Sequence, residues 1–425
     1  MRSRNGVGVQ LWFMSAALIA VLVGLWAPES YAQEVVPLPS PLRFEQVMQL
    51  AHEHRAEITA SRASARAAAQ RPTIVSAPED PMVIASLDHL PFMLHGADVS
   101  LTVEQRFSMS GILANRRNAA EAEAQRLRAE VDRVGLDVAL QAANAFLMLR
   151  ERREMARVLD EQHLLAQQFV RAALARFSSG SGGQSAVVRA EIEVARLAGA
   201  QRAIAAEVRA AEAMLNTTLA RPADASVSVL EVSAFAELPP SSQSVIETAL
   251  ARRPELRAGR AEISRARADV SVMRSMFAPM AMVRTGAAYT MSDGAGWMLM
   301  VGISIPIWRG RLNAGVAEAE AMVEMSRADL QAMQRMIEGE AASSRALVIA
   351  SRERVLALRD AVIPRARLAM ELTLAEYSAG QLPLVSVVEA AQALWTAQGD
   401  LVSAEFNLGA AHVRLRRATG EGPQP

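Results

Sequence analysis

The chain is one design written twice. A corner reading FSSGSGGQSAVVRA at Phe177 to Ala190 returns as YSAGQLPLVSVVEA at Tyr377 to Ala390. The two copies align without a gap from Asp160/Asp360 through Gly180/Gly380 and Val187/Val387 to Leu215/Leu415, about 200 residues apart. Solenoid repeats recur every 20–50 residues or so, so each copy here has to be a whole structural half. The spacing predicts a first repeat over 33–220, an inter-repeat connection over 221–243 carrying Pro222, Pro239 and Pro240, a second repeat over 244–420, and a tail over 421–425.

The first residues, MRSRNGVGVQ, carry two arginines; Leu11 to Leu25 is mostly apolar, and Ser30-Tyr31-Ala32 offers small residues at the positions a signal peptidase reads. Residues 1–32 are therefore expected to be a signal peptide. There is no cysteine, which removes disulfides, thiolate metal sites and a lipid-modified N-terminal cysteine. Net charge is zero and every basic residue is arginine, so nothing encourages nucleic acid binding. No later stretch reaches 18 unbroken apolar residues, and any contact with a bilayer has to be made by strands.

Each half reads as short helix, two strands, very long helix, tight corner, long helix. The short helices are expected over Phe44 to about Gln70 and Val245 to about Met276. In DVSLTVEQRF at Asp98 to Phe107, Val99, Leu101, Val103 and Phe107 alternate with Ser100, Thr102, Glu104 and Arg106, a period only a strand can use. MLMVGISIPIW at Met298 to Trp308 alternates likewise. Partner strands are expected at Pro81 to Leu90 and Met280 to Thr290, joined by loops around His95-Gly96 and Ser292-Asp293-Gly294. Ten-residue strands with one apolar and one polar face suit a membrane barrel wall, and equally a small soluble sheet packed on helices.

The helices favour the barrel. Ile112 to Phe177 contains no proline and one glycine, Gly135; a continuous helix of that length is about 100 Å long. Leu312 to Tyr377 matches it, with return helices over 184–219 and 384–418. Four spanning strands leave two unpaired edges, which hydrocarbon does not tolerate, so other copies of the chain have to close the wall. Two copies give eight strands and three give twelve; strand count alone prefers neither.

The corner pattern Phe/Tyr-x-x-Gly followed by Val-Val-x-Ala, with GISIPIWRGRLNAGVAEAEA at Gly302 to Ala321 and VIPRARLAMELTLAEYSAG ending at Gly380, resembles the TolC-like outer-membrane efflux factors. EQRFSMSGILANRRNAAEAEA at Glu104 to Ala124 is similar to the heavy-metal, CzcC/CusC-like branch, although Phe107 to Ile112 departs from that branch's proline- and tryptophan-containing strand exit. The resemblance implies a mainly α protein with a membrane β-barrel, a homotrimeric tunnel in the outer membrane reaching across the periplasm. It further implies a passive duct, docked through its helical tips to a periplasmic adaptor and an inner-membrane pump of the RND type, with metal ions or other small molecules as cargo. The reading from another class is an exported periplasmic coiled-coil adaptor or scaffold.

By that resemblance, Phe177, Gly180, Tyr377 and Gly380 are expected to be adaptor-contacting tips. Glu389 falls where family members carry an acidic ring at the periplasmic mouth, and Arg189, its counterpart in the first half, is expected to pair with it across adjoining hairpins as a gate. Other latch positions hold Ala186, Leu382 and Ser386 instead. Pro364 is expected to kink the long second helix. Ser100, Thr102, Glu104 and Arg106 form the expected lumen-facing side of their strand.

Met273, Met276, Met280, Met282, Met291, Met298 and Met300 gather around the second strand pair. Thioethers suit Cu(I) or Ag(I), but methionine more often fills gaps, and no metal site is assigned from sequence. His52 and His54 flank Glu53 at a helical spacing that points them apart. GSGG at Gly180 to Gly183 lacks the Lys-Ser/Thr of a phosphate loop. No nucleophile elbow, zinc signature or cofactor motif appears, and the expectation is that the chain is not an enzyme and carries no cofactor.

Overall fold

The structure, a computed structural model, describes residues 37–88, 98–231, 235, 238–290 and 292–422. The signal-peptide segment, the loop at His95-Gly96, His89, Met291 and residues 423–425 of the tail lie outside these. In order, the elements are β1 (Leu42–Arg43), α1 (Phe44–His54), α2 (Ala56–Ser76), β2 (Met82–Asp88), β3 (Asp98–Ser108), α3 (Ile112–Ser178) and α4 (Gln184–Thr218). After β4 (Leu230–Glu231) come α5 (Ser242–Arg252), α6 (Pro254–Ser275), β5 (Met280–Thr290), β6 (Gly294–Ser304), α7 (Arg309–Leu356), a π-helical turn (Ala357–Val362), α8 (Ile363–Ser378) and α9 (Leu384–Thr419).

The first long helix is as long as its proline-free run allows. The 67 residues of α3 run unbroken, about 100 Å at 1.5 Å per residue. Its counterpart is interrupted by the six-residue π turn, two residues before Pro364. Proline has no amide and its ring crowds the carbonyl four residues back, here that of Asp360; widening the preceding turn relieves the crowding. Ile363 accordingly bonds Leu358 with an i to i−5 spacing.

Two expectations need correction. The single short helix of each half is two helices, broken at Arg55 (ψ 129°) and Arg253 (ψ 123°). Pro254 explains the second break, because the residue before proline is pushed out of the helical region. At both breaks the arginine reaches the glutamate two residues on, Glu57 or Glu255, so the geometry repeats where the proline does not. The last strand is Gly294–Ser304 rather than Met298 to Trp308. Thr290 pairs with Gly294, whose φ of 77° closes the turn, and Pro306 lies beyond the ladder with Ile305 and Ile307.

The four strands form one antiparallel sheet in the order β2-β3-β5-β6, so the two repeats meet at the β3–β5 ladder. Leu42 and Leu230 form a small parallel bridge between β1 and β4, the latter inside the inter-repeat connection. α3 packs against α2 and α6 near the sheet and against α4 and α9 farther along. The core is accordingly a series of clusters. One gathers Phe44, Phe146, Leu149 and Leu215 and its counterpart in the second repeat Val245, Ile337, Val348 and Leu408. A third, of Phe169, Val187, Tyr377, Val387 and Trp395, lies by the corners. Alanines 142, 143, 166, 190, 341 and 391 are fully buried, which lets the helix backbones approach closely. No described helix is long and apolar enough to cross a membrane.

Candidate functional site

The sheet separates two chemistries. Directly paired residues of antiparallel strands share a face, so the register places whole rows. On one face lie Val83, Leu87, Val99, Leu101, Val103, Phe107, Trp297, Leu299, Val301 and Ile303, all large, apolar and between 44% and 75% exposed. The opposite face carries Ser86, Ser100, Thr102, Glu104 and Arg284, with Thr102 and Glu104 only 2% and 4% exposed. Ser86 Oγ and Ser100 Oγ lie 2.6 Å apart, and Thr102 Oγ1 donates to the Ile84 carbonyl at 3.4 Å. Glu104 accepts from Arg284 Nε at 3.0 Å and from Arg106 Nε at 3.2 Å. Ser100, Thr102, Glu104 and Arg106 thus share the polar face, and Arg106, at its end, is half exposed.

That polar face also holds methionines. One row runs Met82–Glu104–Arg284–Met300 across all four strands. Its neighbours are Arg106–Met282–Gly302 and Ile84–Thr102–Gly286–Met298, and the next row out contains Met280. Met273 and Met276 belong to the helix end instead.

At the other end of the long helices the corners are built alike. Ser179, Gly180 and Ser181 amides bond the carbonyls of Ala175, Phe177 and Arg176; Ala379, Gly380 and Gln381 bond those of Ala375, Tyr377 and Glu376. Gly180 (φ 73°) and Gly380 (φ 85°) supply the left-handed residue that this helix ending requires. The aromatic residues before them are not equivalent, contrary to the expectation from the repeat. Phe177 is 47% exposed, whereas Tyr377 is 3% exposed. The Arg176 guanidinium lies over the Tyr377 ring at 4.8 Å from its centroid, with Nη1 donating to the Tyr377 carbonyl at 2.5 Å and Nη2 to the Ser181 carbonyl at 3.0 Å. No periodicity marked Arg176; only the approach of the two corners reveals it. Arg189 and Glu389 are both exposed and make no ion pair among the described residues. Pro364 is exposed on the far side of the π turn.

Residues 245–421, nearly all of the second repeat, match the sequence profile described as "Outer membrane efflux protein". Over these residues the chain is similar to the outer membrane efflux protein family. Among its relatives, the outer membrane efflux protein BepC of Brucella suis biovar 1 (strain 1330) is 26% identical over 384 residues, covering 87% of this chain and 83% of BepC. The pyoverdine export outer membrane protein OpmQ of Pseudomonas putida (strain KT2440) is 25% identical over 413 residues, covering 89% and 86%. In fold the chain is similar to the outer-membrane channel OprN (TM-score 0.78, 18% identity, 90% of this chain and 91% of OprN). It is likewise similar to CusC (TM-score 0.79, 16% identity, 89% and 92%). The matched family is that of the ducts, not of coiled-coil adaptors or scaffolds.

Proposed function

We propose that this chain is one protomer of a passive exit duct of a tripartite efflux system, seated in the outer membrane and extending into the periplasm. One observation carries the reading: a four-stranded sheet whose edges β2 and β6 have no strand partner among the described residues, apolar on one side and polar on the other, continuous with a helix about 100 Å long. Lipid on the apolar side requires the edges β2 and β6 to find partners, and identical copies supply them. Three copies make a twelve-stranded barrel wide enough for a channel, where two would fill with side chains. Ser100, Thr102, Glu104 and Arg106 then line the lumen.

The helical corners are the docking end. In this reading Phe177 with Gly180 and Gly380 present the surface to a periplasmic adaptor, and Tyr377 holds the two corners of a protomer together. An inner-membrane pump, of the RND type by family resemblance, supplies the energy. Arg189 and Glu389 of neighbouring hairpins pair at the periplasmic mouth, and Pro364 bends the second long helix towards it. The relatives are named for different cargoes, pyoverdine for OpmQ and toluene for the efflux pump protein TtgF of Pseudomonas putida, which favours a duct whose cargo is chosen elsewhere.

The test is the assembly. Detergent-purified mature protein is expected in the outer-membrane fraction, at three times the protomer mass, and to conduct ions in planar bilayers. A monomer that stays soluble without detergent overturns the proposal.

A further inference from the structure

A cavity of about 720 Å³ lies where the four strands join the helices. Each of the four connections contributes to its wall, through Ala77 before β2, Ser110 before α3, Ala278 before β5 and Pro306 after β6. Of the strand residues that line it, Arg106, Ser108, Met280 and Ser304 belong to the polar face, against Phe107 alone from the apolar one. The cavity therefore opens on the polar side of the wall, away from the face suited to lipid.

Its charge is one-sided. Arg106, Arg116 and Arg311 line it against a single carboxylate, Glu79. Arg106 gives only its Nε to Glu104, a carboxylate it shares with Arg284, and its terminal nitrogens have no partner among the described residues. Arg116 and Arg311 are exposed and form no ion pair or hydrogen bond among the described residues. Farther along the same helix the pattern is different, with Arg126 answered by Glu123 and Arg133 by Glu130. Arg311 also stands in the first turn of α7, which holds no acidic residue, although the positive end of a helix dipole disfavours a guanidinium there. The fold gains little from these two cations, and they are free for a ligand.

The remaining wall is largely apolar, with Leu113, Met276, Ile305 and Trp308. Ile305 and Trp308 are 63% and 71% exposed, so the chain itself does not cover them. The volume falls within the roughly 300–1,000 Å³ of sites for small organic molecules, which also combine an apolar wall with a few convergent charges. An inorganic anion would leave the apolar wall wet, and an organic cation would meet three guanidiniums. A ligand with an apolar body and an anionic head satisfies both parts.

We infer that this cavity is a lumenal station for amphiphilic organic anions. The body of the ligand lies against Trp308, Ile305, Met276 and Leu113, and its sulfonate, carboxylate or phosphate meets Arg116 and Arg311, with Arg106 as a third donor. The inference rests on the exit-duct reading, in which the polar face lines the lumen, and it names a cargo class that the wall retains.

Naphthalene-2-sulfonate is the probe, with 2-naphthylmethylammonium as its partner of opposite charge. Calorimetric titration of the assembled protein in phosphatidylcholine nanodiscs, against empty discs, is expected to show saturable binding of the sulfonate and none of the ammonium. That comparison uses wild-type protein only and does not depend on any variant folding. Arg116→Gln/Arg311→Gln is expected to weaken sulfonate binding about tenfold or more. The same change at Arg202 and Arg209, exposed on α4 and also without an ion pair among the described residues, is expected to leave it intact. Equal binding of the two probes, or an unchanged sulfonate affinity in the Arg116/Arg311 variant, overturns the inference. Discs enriched in phosphatidylglycerol are expected to give the same affinity; loss of sulfonate binding there would assign the cavity to lipid headgroups and overturn it as well. Planar-bilayer conductance separates the two readings: a conducting assembly without charge-selective binding sinks the station alone, whereas a non-conducting one sinks the duct.

Discussion

The Arg176 guanidinium covers the Tyr377 ring at 4.8 Å and donates to the Tyr377 backbone carbonyl, joining two helical corners about 200 residues apart in sequence. A cation over an aromatic face and two hydrogen bonds to carbonyls together stabilise this contact by about 1–2 kcal/mol. Arg176→Ala is expected to speed hydrogen exchange of the amides of Ser179 to Ser181 and of Gly380 and Gln381 together. Tyr377→Phe, which keeps the ring and the carbonyl, is expected to leave them protected. Exchange that rises at one corner only would mean the corners are not coupled through this residue.

Gly286 lies on the ladder that joins the two repeats, opposite Thr102. A Cβ there would come within 2.1 Å of the Leu101 carbonyl oxygen, part of the backbone of the facing strand. Gly286→Ala is therefore expected to part the β3–β5 ladder at a cost of at least about 3 kcal/mol, seen as loss of the assembled, heat-resistant form on gels. Gly296→Ala, with nothing within 4 Å of its added methyl group, is the matched control and is expected to assemble.

Glu255 gives the protein an acid-sensitive joint. Burial opposes its ionisation, but the hydrogen bond from Arg253 and the charges of Arg417 and Arg253 outweigh it, so its pKa is lowered. A carboxyl with a folded pKa below its unfolded one contributes stability above the unfolded value, and that contribution is lost as pH falls through the folded value. Stability against thermal unfolding is therefore expected to fall below about pH 4.5 in the wild type. Glu255→Gln is expected to be destabilised by about 2 kcal/mol at neutral pH, because Arg253 and Arg417 lose one charged partner while keeping Glu340 and Asp137, and to show a flatter acid limb. An identical acid limb in both proteins would remove Glu255 from the account.

At the proposed mouth, Glu389→Ala is expected to lower the cation-over-anion permeability ratio of single channels, since three carboxylates leave one constriction. Arg189→Ala is expected to shift the channel towards its open level if it pairs with Glu389 of a neighbouring hairpin. Unchanged selectivity and gating in both variants would make these two ordinary solvated charges.

Sequence alone reached far into this fold because its strongest signals are local. A proline-free run from Ile112 sets the length of α3, and Gly180 and Gly380 set the corners where positive φ is required. Alternation in Val99 to Val103 placed the right residues on each face of β3. Failures arose where the deciding partner is distant or the local signal is silent. Nothing beside Arg55 breaks a helix by propensity, yet the chain breaks there as it does before Pro254. Alternation through Ile305 and Ile307 continued past the end of β6, because period-two patterning shows which face a residue takes and not where pairing stops. The clustering of methionines was visible, but their common face required the register, where a slip of one residue would have turned them outward.

The inequality of Phe177 and Tyr377 reaches beyond a single chain. Duplication gives a three-protomer assembly a rim of six corners, yet only every second one offers an uncovered aromatic side chain. A partner ring of six equal subunits would meet two alternating landing places, so gene doubling here has kept threefold information at an end that looks sixfold.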